Sequence, residues 1–303
     1  DYLVYNRRFS YVSICFMNKG VLLVLSGYLM WGAFPLYWAL LNHVNPSEVL
    51  LHRMLWSVPI LFFLVYSKSS WRSNFKDSLS SKKELVFLLL TAILITINWG
   101  CYILAVNIGR VVEASMGYFL SPVINMLGGY FFFHERISKL KQLAVLFATI
   151  GSLYYVFSGD SFPWLGFIVG FTFAAYGIAR KAMASSAIPG LYIETLILLP
   201  FFLIFSVWFY LNYDVSFLNI DISTDILLIL AGAVTVIPLA LFNAGAKLLQ
   251  MTTVGILFLI TPTLQFLVGY YLQNELVNSN QLIGFIGVWA GLIMYSYALI
   301  KEK

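Results

Sequence analysis

Long apolar stretches alternate with short polar breaks along the whole chain. A helix needs about 20 mainly apolar residues to cross the hydrocarbon core of a bilayer, and ten stretches approach or reach that length. They cover residues 20–41, 48–66, 85–106, 112–134, 141–158, 163–179, 190–210, 224–243, 254–273 and 281–300. The breaks between them are too short for a soluble domain. The pattern therefore predicts an all-α integral membrane protein with ten transmembrane helices.

One set of residues recurs 140 positions later in the chain, without a gap. The first copy is Ser121-Pro122, Asn125, Gly129-Tyr130 and Glu135, and the second is Thr261-Pro262, Gln265, Gly269-Tyr270 and Glu275. Internal duplication is typical of transporters built from two structural repeats. We therefore expect one five-helix repeat over residues 17–160 and a second over residues 161–303. Residues 1–16, which precede Met17, are expected to be an N-terminal extension outside the fold.

The basic residues lie almost entirely on one side of the predicted spans. Of 18 Lys and Arg residues, 16 fall on the side of the two termini, and only Arg53 and Arg110 fall on the other. Because positive residues stay on the cytoplasmic side, we expect both termini to be cytoplasmic. Five spans per half is an odd number, so the two halves are expected to insert in opposite directions, as inverted repeats. The same asymmetry explains the net charge of +5 without a nucleic-acid partner.

Composition agrees with a membrane protein and argues against several other classes. The chain is 61% hydrophobic and 10% charged, whereas soluble domains carry about 25% charged residues. Two cysteines and three histidines show no spacing typical of metal ligands, and the sequence has no Walker A motif for ATP. We therefore expect no enzymatic activity, no cofactor and no bound metal. Any energy for transport is expected to come from a proton gradient or from an exchanged solute.

Several segments resemble the signature segments of a known family. They are the stretch Glu113–Asn125, the stretch Glu48–Ser57, Asn98-Trp99, Ile193-Glu194-Thr195 and Leu199-Pro200. Together they resemble RarD-type proteins, in the EamA branch of the drug/metabolite transporter superfamily, over about residues 17–300. The resemblance implies a ten-helix inverted-repeat permease of the bacterial inner membrane. One departure is His134 before Glu135, where the family commonly has Gly.

Four ionisable residues lie within or at the ends of predicted spans, where a charge is costly and is by default a sign of function. They are His52, Arg53, Glu113 and Glu194. We expect Arg53 to pair with Glu113 near the outer face, and Glu194 to pair with Arg180 or Lys181 near the inner face. Such pairs could act as alternating gates. The alternative is that they are static ion pairs that orient the helices.

His52 is a candidate for proton transfer, because an unperturbed histidine titrates near pH 6.5. The alternative is that it is solvated, or hydrogen-bonded to Glu48, which lies four residues earlier on the same helix face. Both interpretations place His52 near the outer end of the second span.

Polar and aromatic residues in the middle of the spans form the predicted solute cavity. The predicted solute-binding residues are Trp31, Asn98, Trp99, Tyr102, Tyr118, Ser121, Asn125, Tyr176, Asn243 and Gln265. An amide in an apolar core needs a partner, which is another helix or a solute. Asn125 and Gln265 occupy equivalent positions of the two repeats, so we expect them to face the same cavity. The alternative is interhelical hydrogen bonding with ordinary aromatic packing.

Pro122 and Pro262 interrupt equivalent spans, and proline removes a backbone donor from a helix. Breaks related by a repeat indicate hinges in transporters, so both residues are predicted hinges; a passive kink is the alternative. Glu135 and Glu275 fall at helix ends and are expected to be structural caps.

The function that these features favour is secondary-active transport. We expect an exporter or exchanger of small metabolites, such as amino acids or amphipathic drug-like solutes, that works by alternating access around a midplane cavity. The alternative is a membrane-embedded channel or scaffold without coupled transport. The expected partners are a small-molecule solute, the lipid bilayer, and a proton or an exchanged solute. We expect a monomer or a weak homodimer in the bacterial plasma membrane.

Overall fold

The computed structural model describes residues 19–108, 117–157, 164–272 and 279–302, which are helical with no strand in those ranges. The first helix, α1, covers residues 19–32 of the described chain. The others are α2 (Phe34–Ala39), α3 (Pro46–Ser67), α4 (Ser69–Ser80), α5 (Lys82–Asn107), a 3₁₀ turn (Gly117–Leu120), α6 (Ser121–Phe133), α7 (Lys139–Phe157), α8 (Trp164–Ala182), α9 (Ala187–Asn212), α10 (Ile222–Ala246), α11 (Met251–Phe258), α12 (Ile260–Leu272) and α13 (Ser279–Lys301).

Eight helical segments of the described chain are long and apolar enough to cross a membrane. They are Lys19–Ala39, Pro46–Ser67, Lys82–Tyr102, Lys139–Phe157, Ala187–Asn212, Ile222–Ala246, Met251–Val268 and Leu282–Lys301. These segments confirm a multi-pass, all-helical membrane protein. Large apolar side chains such as Phe132 (72% exposed) and Leu211 (79% exposed) cover the outer surface, as expected where helices face lipid.

Two predicted spans are not among these eight segments. The span predicted over residues 112–134 is described only from Gly117, and its helix α6 has 13 residues. The span predicted over residues 163–179 is helical, as α8, but Arg180 and Lys181 in its last turn lower its mean hydropathy.

Two of the spanning segments are interrupted shortly before a proline, and α6 also begins beside a proline. Ala33 separates α1 from α2 just before Pro35. A 3₁₀ turn precedes α6, in which Pro122 is the second residue. Leu259 separates α11 from α12, in which Pro262 is the third residue. Because proline lacks a backbone N–H and fits the first turn of a helix, each proline starts a new helical segment more readily than it continues an old one.

Small residues let the helices α7 and α13 pack closely against each other. A Cβ atom added at Gly291 would lie 2.6 Å from the carbonyl oxygen of Ala144, and one at Gly151 would lie 2.6 Å from that of Gly284. Distances this short leave no room for a side chain. A separate cluster of buried apolar residues is formed by α1, α3, α5 and α8–α11.

Candidate functional site

A small cavity lies between α3, α5, α8, α9 and α10. Apolar side chains form most of its wall: Met54, Leu61, Ile95, Leu191, Leu198, Val236 and Leu239. Its other lining residues are Ser57, Trp99, Tyr176, Glu194, Thr195 and Thr235. An apolar cavity with a few polar groups is the usual form of a small-molecule site.

The Glu194 carboxylate is the charged group that lines the cavity. Its Oε1 accepts hydrogen bonds from Thr91 Oγ1 at 2.6 Å and from Arg180 Nη1 at 3.3 Å. Its Oε2 accepts one from the hydroxyl of Tyr176 at 3.2 Å. Of the two predicted partners, Arg180 forms the ion pair with Glu194, whereas Lys181 pairs with Glu135 at 2.7 Å.

The Arg180–Glu194 pair is fully enclosed by protein. The side chains of Arg180 and Glu194 are 0% and 4% exposed. Removing two charges from water is costly, and their attraction offsets that cost only when hydrogen bonds satisfy the remaining polar atoms. Arg180 also donates to the carbonyl oxygens of Ser186 and Ala187, at the start of α9. The two opposite charges give the pair no net charge. The hydrogen bonds of Arg180 also connect the end of α8 to the start of α9.

Tyr176 extends the polar cluster of Glu194 to a fourth helix, α10. The Tyr176 hydroxyl donates to Glu194 and accepts a hydrogen bond from Asn243 Nδ2 at 2.9 Å. The Oδ1 atom of Asn243 is buried without a hydrogen-bond partner in the described part of the chain. The predicted residues Tyr176, Asn243 and Glu194 thus lie together, and two of them line the cavity.

Arg53 lies beside the same cavity. Its Nε donates to Thr235 Oγ1 at 3.0 Å, and its guanidinium carbon lies 5.1 Å and 5.2 Å from the ring centroids of Trp38 and Trp99. Aromatic rings at such distances attract a cation. Because Thr235 and Trp99 line the cavity, the positive charge lies at its edge. Glu113, the predicted partner of Arg53, is outside the described residues, so their pairing stays a prediction.

His52 lies away from the cavity wall, next to the loop that precedes α10. Its Nδ1 accepts a hydrogen bond from Trp56 Nε1 at 3.0 Å, and its ring centroid lies 4.6 Å from that of Phe217. The Glu48 carboxylate instead accepts hydrogen bonds from the backbone amides of Ser216 and Phe217. The hydrogen bond between His52 and Glu48, which was one alternative, is therefore not formed.

Two of the predicted amide residues connect helices through the backbone. Asn98 Nδ2 donates to the carbonyl oxygen of Val169 at 2.7 Å and to Thr172 Oγ1 at 3.2 Å. Gln265 Nε2 donates to the carbonyl oxygen of Trp31 at 3.1 Å. Both side chains make the interhelical hydrogen bonds that were the alternative to solute binding.

Ser121 and Asn125 lie where α6 packs against α11. A Cβ atom at Gly255 would lie 2.8 Å from the Cβ atom of Asn125. Ser121 Oγ and Asn125 Oδ1 are buried without a hydrogen-bond partner among the described residues. The structure therefore places Asn125 in a helix contact and Gln265 on Trp31, rather than in the wall of the cavity described above.

The remaining predicted aromatic residues pack against other rings or apolar side chains. Trp31 and Tyr118 belong to a central aromatic cluster whose other rings are Tyr28, Phe173, Phe242 and Phe258. Tyr102 packs beside Ala105, Leu165 and Val169. Pro122 and Pro262 lie at the helix breaks, outside the cavity wall.

Sequence reasoning missed the serine and threonine hydroxyl groups of the site. Thr91 binds Glu194, Thr235 binds Arg53, and Ser57 lines the cavity between them. Serine and threonine are frequent in apolar helices, where they bind their own backbone, so their positions gave no distinctive signal. In the part of the chain that the structure describes, no group of three or more His, Cys, Asp or Glu residues could hold a metal ion.

The sequence is similar to that of bacterial membrane transporters over almost its whole length. The model of the EamA-like transporter family matches residues 18–157. The uncharacterized transporter YojE of Bacillus subtilis is 34% identical over 291 residues, which cover 94% of this chain and 96% of the relative. Protein RarD of Escherichia coli is 35% identical over 283 residues, which cover 92% and 94%. The chain belongs to the EamA-like transporter family. Its likeness to RarD proteins confirms that it is a RarD-type member.

A solved structure supports the fold of this EamA-like chain independently of sequence. A protein crystal structure superimposes with a TM-score of 0.69 at 14% identity, over 93% of this chain and 98% of the other. At this identity the similarity shows the fold alone. Family membership and the apolar helices together identify a multi-pass membrane transporter.

Proposed function

We propose that the protein is a secondary-active transporter that moves small metabolites across the bacterial inner membrane through the cavity between α3, α5, α8, α9 and α10. The observation that carries this proposal is the buried Glu194 carboxylate, which is paired with Arg180 and lines the cavity. Replacing a buried ion pair with apolar residues is often neutral or stabilising. A charged pair kept inside a membrane protein therefore favours a functional role.

The helix boundaries support two inverted five-helix repeats. The helices α5 and α10 begin at Lys82 and Ile222, and α7 and α13 begin at Lys139 and Ser279, which are 140 residues apart in each case. Corresponding helices also pack against each other, as α3 does with α9 and α7 does with α13. A twofold axis in the membrane plane would produce such contacts. Counting α8 and the segment that contains α6 gives ten spans, with both termini cytoplasmic.

The position of the cavity suits alternating access. Helices α3 and α5 belong to the first predicted repeat, and α8, α9 and α10 belong to the second. Rocking one half against the other would change which end of the cavity is open. The breaks at Pro122 and Pro262 lie at equivalent positions and would serve as hinges. Arg53 with Glu113, and Glu194 with Arg180, are the proposed gates. The coupling partner is a proton or an exchanged solute.

Uptake into proteoliposomes tests this function. Purified protein is reconstituted, and uptake of a panel of labelled amino acids and amphipathic metabolites is measured with and without a pH gradient. We expect saturable uptake of at least one solute, and loss of that uptake in Glu194→Gln. Glu302→Gln is the matched control, because Glu302 pairs with Lys141 on the surface, with its side chain 32% exposed. Absence of uptake for every solute, in protein that remains folded, would contradict the proposal.

A further inference from the structure

Arg53 brings a permanent positive charge to the edge of a cavity whose wall is mainly apolar. In the described part of the chain, no carboxylate lies within 4.0 Å of its guanidinium group. Its described contacts are the Thr235 hydroxyl and the rings of Trp38 and Trp99. These neutral groups lower the free-energy cost of burying the charge but do not cancel the charge itself.

The other charges beside the cavity cancel each other. Glu194 lines the wall, and its charge is balanced by Arg180 at 3.3 Å. The described surroundings of the cavity therefore carry one net positive charge, which belongs to Arg53. Electrostatic attraction is strong where water is largely excluded. The cavity should thus favour a solute with one negative charge over a neutral solute or a cation of the same size.

The geometry of the guanidinium group favours a carboxylate as that negative group. The described hydrogen bond of Arg53 uses Nε. Among the described residues, its two terminal nitrogens have no hydrogen-bond partner, so both can contact a carboxylate end-on. Arginine binds carboxylates in this bidentate way, and it can do so while its face rests on aromatic rings. Lysine, as a point charge, would lack this match.

The rest of the wall indicates the body of the solute. Apolar residues such as Met54, Ile95 and Leu198 dominate it, and the hydroxyls of Ser57 and Thr195 are among its few polar groups. We propose that Arg53 binds the carboxylate of an amphipathic, monoanionic solute whose apolar part occupies this cavity. This inference rests on the proposed function, because it takes the cavity to be the transport site.

Three compounds with one ring and one three-carbon chain test the inference. They are 3-phenylpropionate (anion), 3-phenylpropan-1-ol (neutral) and 3-phenylpropylamine (cation). Binding to purified protein is followed by tryptophan fluorescence, since Trp99 lines the cavity. We expect the anion to bind at least tenfold more tightly than the alcohol, and the amine to bind most weakly. Equal affinity for anion and alcohol, or no binding of the anion, would overturn the inference.

Variants at Arg53 separate its role from a general loss of folding. In Arg53→Gln we expect anion affinity to fall at least tenfold while the weak affinity for the alcohol stays. In Arg53→Lys we expect reduced affinity with the preference for the anion retained, which keeps the test informative if the glutamine variant fails to fold. Arg136→Gln, at an exposed position outside the helices, is the control for loss of one positive charge. Unchanged anion binding in Arg53→Gln would contradict the inference.

Two further results distinguish this inference from the proposed function. Uptake of neutral solutes with no preference for the anion would refute the carboxylate subsite and leave the carrier intact. Anion binding that depends on Arg53, without uptake of any solute, would support the subsite and contradict transport. In the predicted Arg53–Glu113 pairing, Glu113 and the solute carboxylate would compete for the same guanidinium group. Glu113→Gln is therefore expected to bind the anion at least as tightly as the wild type, and weaker binding would count against the inference.

Discussion

The substitution Glu194→Gln breaks the buried ion pair between Arg180 and Glu194. In Glu194→Gln an amide of nearly the same shape replaces the carboxylate, so Arg180 loses its counter-ion but not its surroundings. The Arg180 side chain is 0% exposed, and its Nε has no hydrogen-bond partner in the described part of the chain. Breaking a buried ion pair by removing one partner costs about 3–5 kcal/mol. We expect Glu194→Gln to be destabilised by this amount.

Thermal unfolding of the purified protein in detergent measures this effect. At roughly 2 °C for each kcal/mol in a large domain, the apparent Tm should fall by about 6–10 °C. The double variant Arg180→Gln/Glu194→Gln removes both charges, so it should recover most of the loss. Glu302→Gln breaks an ion pair at the surface, where such pairs contribute about 0–1 kcal/mol, and should leave Tm nearly unchanged.

The double variant also separates stability from function. It is expected to be folded but inactive in transport, because the carboxylate that lines the cavity is absent. The reasoning is refuted if Glu194→Gln unfolds at the wild-type temperature, or if the double variant is less stable than both single variants. Full transport activity in a stable double variant would show that the pair has a structural role only.

Three further predictions concern the breaks, the helix packing and one buried lysine. Replacing Pro122 and Pro262 with Ala should slow uptake at least severalfold without lowering Tm, because alanine favours a continuous helix; unchanged uptake would contradict the hinge role. Gly291→Leu should abolish the peak of folded protein in size-exclusion chromatography, because a Cβ atom there would lie 2.6 Å from the backbone of α7. The control Gly100→Leu should be tolerated, because a Cβ atom at Gly100 has no neighbouring atom within 4 Å. Burial, aided by the nearby Arg180 charge, lowers the pKa of Lys247 from 10.5 to about 8. Between pH 8 and pH 10 the folded protein therefore binds fewer protons than the unfolded chain, so its stability rises with pH. The Tm of the wild type minus the Tm of Lys247→Met should increase over this range. A decrease in that Tm difference would contradict the prediction.

The helices could be predicted from sequence because each is encoded locally. An apolar run of about 20 residues has few alternatives to a spanning helix, and such runs mark the eight segments that the structure describes as long and apolar enough to cross a membrane. The breaks near Pro122 and Pro262 could also be predicted, because a proline disrupts the backbone hydrogen bonds of the helix that contains it. The span over residues 163–179 shows the limit, since charges in its last turn weaken its apolar character.

The site could be predicted only in part, because it depends on how each helix is rotated and which helices meet. Arg180 and Lys181 are adjacent, so they point about 100° apart on α8, and sequence left both open as partners of Glu194. Asn125 and Gln265 are equivalent in sequence, yet one packs against α11 and the other binds the Trp31 carbonyl. Contacts between distant segments decided these outcomes, and no local pattern reports them.

Solute counterflow tests the central claim, that this EamA-like protein is a carrier, most directly. Proteoliposomes are loaded with an unlabelled solute that the protein transports and diluted into a trace of the same solute with a label. A carrier that alternates access exchanges one molecule for another, so the labelled solute should accumulate transiently above its equilibrium level, and Glu194→Gln should abolish this overshoot. Monotonic equilibration without an overshoot, as a channel would give, would contradict the account.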